Sequence, residues 1–247
     1  MSEAQLYTIE AANLPSRAHS VTFREPLFKD RREASRRMPP DDTNIGYSLE
    51  QLLLATCIEG IDGHSYPPIP RDPISKLRDF SPADTQFLVA VFLEMFTLGD
   101  ELSETVKSLS EELKSGIGMS YTIPKEYMPS GNFSVTFRGP TTGDQIDTDR
   151  RYPGADSNCG YSLEEMLFAS SLTHVNGEAV EPQKDPIVVL DPWTHIDAQF
   201  ALSVFLNVSF IDRNTRAGAK SLGKQLRTKS APVADAPKKS RATSTTA

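Results

Sequence analysis

LPSRAHSVTFREP (Leu14–Pro26) is answered 114 residues downstream by MPSGNFSVTFRGP (Met128–Pro140). Each copy writes Ser-Val-Thr-Phe-Arg-x-Pro shortly after a Pro-Ser pair. Shifted on itself by 114, the chain matches without a gap from Tyr7 to Gly63, with 25 of 57 positions identical. After a one-residue deletion the match resumes, so that Asp72-Pro73-Ile74 meets Asp185-Pro186-Ile187 and Val91-Phe92-Leu93 meets Val204-Phe205-Leu206. The pattern reads as a tandem duplication with units at 7–114 and 121–227. Each unit is domain-sized, which excludes a solenoid of short repeats.

Both units read the same way. Tyr-Thr-Ile and Ser-Val-Thr-Phe-Arg are short β-rich runs around a Pro-Ser turn, which predicts a hairpin. The next twenty or so residues are polar, without apolar period, and predict a long loop carrying Arg36-Arg37 or Arg150-Arg151. Ser48-Leu-Glu-Gln51 and Ser162-Leu-Glu-Glu165 are capping boxes, each opening an apolar helix expected to close on Gly63 or Gly177. Ser81-Pro82-x-Asp84 and Thr194 with Asp197 start the next helix. A third, charged helix ends each unit. The expected fold class is α+β, with two homologous units, each a β-hairpin or small sheet on about three helices. Residues 228–247 lack large apolar side chains and predict a flexible basic tail.

A net charge of −7 over 247 residues disfavours direct nucleic-acid binding. No apolar run is long enough for a membrane helix, and the N-terminus does not read as a secretory signal. Cys57 and Cys159 fall at non-equivalent places and read as free thiols. Phosphate loops, nucleophile elbows and metal-spaced ligand sets are absent, and no His or Cys recurs at matching positions. The reading is therefore non-enzymatic, with no catalytic residue, cofactor or metal. Candidate partner contacts are Arg24 and Arg138 at the strand ends, for which the competing reading is a pair with a nearby carboxylate, Arg36, Arg37, Arg150 and Arg151 in the loops, and Arg216, Lys220 and Lys224 in the last helix. Residues 100–114 carry a net −3, whereas the equivalent 212–227 carry a net +4. Opposite signs on homologous helices leave two readings: solvated faces that have drifted apart, or surfaces that face each other within the chain or between copies.

The segment MPSGNFSVTFRGPTTGD (Met128–Asp144), with the helix ending HVNG (His174–Gly177), resembles small tail proteins of contractile bacteriophages: tail-assembly chaperones and T4-like baseplate proteins. Unit one departs from that pattern at Arg17, where unit two has the turn glycine Gly131. The resemblance implies a structural or assembly protein without catalysis or cofactor. Its partners would be other tail or baseplate proteins, and its location the virion or the host cytoplasm during assembly. The alternative expectation is a bacterial adaptor whose paired arginines hold an acidic partner.

Overall fold

The computed structural model describes residues 5–38, 46–66, 72–115, 120–152, 159–181, 183–210, 217, 219–222 and 224. Met1–Ser209 form one compact unit and Phe210–Ala247 another. The first unit is α+β and runs through one order of elements twice. The first pass comprises β1 (Leu6–Ile9), a 3-10 turn (Ala11–Asn13) without a counterpart in the second pass, β2 (Val21–Arg24), α1 (Phe28–Arg37), α2 (Leu49–Cys57), β3 (Ile58–Ile61), β4 (His64–Ser65), a 3-10 turn (Pro73–Leu77) and α3 (Pro82–Phe96). After α4 (Asp100–Ser115) come β5 (Ser120–Ile123), β6 (Val135–Arg138), α5 (Thr142–Arg151), α6 (Leu163–Ser171), β7 (Leu172–Val175), β8 (Glu178–Ala179), a 3-10 turn (Pro186–Leu190) and α7 (His195–Ser209). The strands build two antiparallel sheets, ordered β1-β2-β3-β4 and β5-β6-β7-β8. Their registers correspond: Tyr7 faces Phe23 as Tyr121 faces Phe137, and Thr22 faces Gly60 as Thr136 faces His174. In the second unit Ala217, Ala219–Leu222 and Lys224 are helical. The expected tail at 228–247 lies outside the described residues.

The recurring words of the sequence have a structural cause. The backbone N–H of Ser16 donates to Asp84 Oδ1 at 2.9 Å, and that of Ser130 donates to Asp197 Oδ1 at 2.9 Å. Both aspartates are buried at the starts of α3 and α7. Each Pro-Ser turn is therefore tied to a helix 67 or 68 residues away. The arginine closing each Phe-Arg strand grips the next helix: Arg24 donates from both terminal nitrogens to Asp30, and Arg138 does the same to Asp144. Such fork-to-carboxylate pairs fix angle as well as distance. The predicted caps are present, with Ser48 Oγ accepting from Gln51 N and Ser162 Oγ from Glu165 N.

Two expectations are corrected. The polar stretches read as loops contain α1 and α5. Helix α1 lacks an apolar period because Arg32 and Asp30 occupy buried positions beside Phe28 and Ala34. Residues 39–45 and 153–158 lie outside the described residues. The helices predicted to close on Gly63 and Gly177 end instead at Cys57 and Ser171. There the chain turns into β3 and β7, and Asp62-Gly63 and Asn176-Gly177 are hairpin turns with positive φ at all four residues. That Asx-Gly signature of a tight antiparallel turn stood in the sequence.

Arg17 has φ 57° and its counterpart Gly131 has φ 64°, so both turns require the left-handed region. A side chain pays roughly 1–2 kcal/mol there, partly offset by the greater unfolded-state freedom of glycine. Arg17 is exposed. Arg17→Gly is expected to stabilise the chain by about 0.5–1 kcal/mol and Gly131→Ala to destabilise it by a similar amount in denaturant titrations.

Candidate association surface

The two halves of the first unit meet along a seam to which helices α1 and α4 of the first half contribute. At its centre the segment before α1 runs antiparallel to the residues before α7. His195 N donates to Pro26 O at 2.8 Å, Phe28 N donates to Trp193 O at 2.9 Å, and Leu27 bridges Thr194. The Phe28 side chain, 1% exposed, belongs to the core of the second half. Helix α4 crosses with it: Val106 and Leu109 are buried in the second core, with Leu98, Leu102 and Leu113 packed against it. Periodicity assigns α4 to the first unit, but packing places its apolar face on α7. Its Asp100, Glu101, Glu104 and Glu111 remain exposed.

Charges line the rest of the seam. Arg31 pairs with Glu165, the same carboxylate that accepts from Ser162 N in the capping box of α6. Arg32 pairs with Asp191, and Arg36 Nε donates to Cys159 O at 2.9 Å. Gly160, at φ 78°, lets α1 approach: a Cβ there would stand 2.2 Å from Arg32 O. His195 lies in this seam, hydrogen-bonded through Nε2 to Gln199, with Nδ1 buried and lacking a partner. Burial, helped by the nearby Arg31 charge, pushes its pKa down to about 4. On the neighbouring strand end, burial and the Asp197 charge raise the carboxyl of Glu25.

The residues singled out in the sequence divide by location. Arg24 and Arg138 belong to the internal pairs with Asp30 and Asp144 and are not free for a partner. Arg24 also donates from Nε to Glu59, the bulged residue between Phe23 and Thr22 on the partner strand. Arg36 is a seam contact, and Arg37 pairs with Glu33 one helical turn away. The paired arginines thus sit in the last turns of α1 and α5, where cations complement the helix dipole. Arg150 and Arg151 are exposed. Arg151 borders a shallow cleft of about 280 Å³ whose other polar lining includes Asp144, Asp147, Glu181 and Gln183. Lys220 and Lys224 are exposed, and Arg216 lies outside the described residues.

Sequence reading missed Arg31, Arg32 and Phe28, whose partners lie more than a hundred residues away. It also missed Lys76, a buried ammonium that donates to Ile58 O and whose pKa is lowered by burial. Lys76 lies beside Cys57, a buried thiol raised far above its ordinary range by burial and by Asp30. Among the described residues no three His, Cys, Asp or Glu side chains form a metal-holding group, and no helix is long and apolar enough to cross a membrane. No family model matches the chain, and neither a curated protein nor a solved structure matches it.

Phe28→Ala removes an aromatic side chain from a core it enters from the other half. A loss of about 3–5 kcal/mol is expected in equilibrium unfolding. His195 gives the seam a pH dependence. Its folded pKa lies below its ordinary 6.5, so the stability it supports is complete above pH 6.5 and is lost as pH falls toward 4. The raised Glu25 acts in the opposite sense. The stability difference between wild type and His195→Asn should therefore shift by on the order of 3 kcal/mol across that interval. A difference independent of pH contradicts the assignment.

Proposed function

We propose that the chain is a non-enzymatic structural or assembly protein that works through protein–protein contact, in a contractile phage tail, a baseplate or a related injection machine. The observation that carries the contact reading is the seam. One half completes its core with a helix and an aromatic side chain from the other, along an interface of backbone bridges, apolar packing and paired charges. The resemblance of Met128–Asp144 to small tail proteins supplies the setting. Partners are then other tail or baseplate proteins, and the location is the particle or the host cytoplasm during assembly.

A second reading is supported by Arg150 and Arg151, which stay exposed at the end of α5, Arg151 at the edge of the cleft. An adaptor holding an acidic partner would use them, with affinity falling as salt rises. Mass spectrometry of purified contractile particles and their assembly intermediates separates the two. The tail reading expects this chain at fixed stoichiometry in one of those fractions. Absence from both, with retention of acidic proteins that Arg150→Glu/Arg151→Glu abolishes, favours the adaptor.

A further inference from the structure

The halves correspond element by element, but their matching helices are not equally covered. On α7, Phe200 and Val204 are fully buried, and α4 lies along that helix. At the matching positions of α3, Phe87 is 38% exposed and Val91 only half-buried. Ala83, Phe87, Ala90 and Glu94 recur at helical spacing and are all exposed, so they form one stripe. Helix α4 cannot cover this stripe, because its apolar face is already in the second core.

The sequence contains one other segment of the α4 kind. Residues 212–227 align with α4 so that Ala219, Leu222 and Leu226 stand where α4 has Val106, Leu109 and Leu113. Leu109 is 3% exposed, whereas Leu222, on a helical stretch, is 55% exposed. The charge differs on both sides of the comparison: the docking segment changes sign, and the receiving helix gains a carboxylate. The acidic α4 lies on a helix with Asn207, and the position matching Asn207 on α3 is Glu94, while residues 212–227 carry a net +4. Helix α5 follows the same logic. Gln145 and Gln51 take the places of the Arg31–Glu165 pair, and Ile146, in the place of Arg32, is 46% exposed.

We propose that residues 212–227 of one copy dock on the α3 stripe of a second copy, repeating between chains the contact that α4 makes with α7 within one. Leu222 then packs against Phe87, and the basic side chains flank Glu94. The two contacting surfaces differ, so the interface is heterologous: copies add head to tail, and the array either closes into a ring or grows. This goes beyond the proposed function and does not depend on the contractile-tail setting.

Light scattering and sedimentation of the full chain over a range of concentrations test it. The expected mass exceeds the 27.2 kDa of one chain and rises with concentration. Phe87→Glu and Leu222→Glu should each weaken association by about tenfold or more, while circular dichroism and melting stay unchanged. In a Cys159→Ser background, mixed Phe87→Cys and Leu222→Cys chains should form a disulfide-linked heterodimer on oxidation. Three results overturn the proposal: a monomer at every concentration, oligomers indifferent to both Glu variants, or ready closure of the disulfide inside a single chain bearing both cysteines. A monomer recovered from contractile particles overturns this contact and leaves the proposed function standing.

Discussion

The burial of Phe28 and α4 in a core to which they do not belong by sequence is the constraint on which the first compact unit depends. Without them α7 would expose Phe200 and Val204 to water, and the second half would lack one wall of its core. Each buried aromatic or aliphatic side chain of this kind contributes roughly 1.5–3 kcal/mol. The ion pairs of Arg31 and Arg32 act differently. Their carboxylate partners are largely withdrawn from water, so the pairs offset a desolvation cost and fix how α1 sits more than they add net stability. Apolar burial holds the halves together, and the charges set their register.

Within each half the architecture rests on two ties from β-strand to helix. The Pro-Ser turn donates to a helix-start aspartate, and the strand-end arginine forks onto an aspartate of the following helix. Hydrogen bonds from Ser16 and Ser81 hold the Asp84 carboxyl below its usual range, and the Arg138 fork does the same for Asp144. These bonds explain why Pro-Ser, Phe-Arg and the two aspartates recur as a set. A turn, a strand and two helix starts are one polar framework, and losing one member leaves another buried and unpaired.

Parts of that framework were legible in the sequence: the capping serines, the strands and the starts of α3 and α7 follow local rules. Helix α1 was not legible, since its buried side is written in Arg32 and Asp30, whose partners only the folded chain supplies. Strands β3 and β7 were obscured by the apolar run of the preceding helix, although Asp62-Gly63 and Asn176-Gly177 marked their turns. The α4 exchange was hidden for another reason. Periodicity reports which face of a helix is apolar, not which core receives it. The arginines of the candidate surface suffered the same limit: the sequence left Arg24 between a nearby carboxylate and a partner and put Arg36 in a loop, and only geometry paired the first with Asp30 and set the second in the seam.

Native-state hydrogen exchange of α4 tests this account most directly, because amides open with the cooperative unit that buries them. If α4 completes the second core, amides in Asp100–Ser115 exchange together with those of α7 and share their response to denaturant. Exchange of α4 in step with α3, while α7 keeps its full protection, would contradict the account.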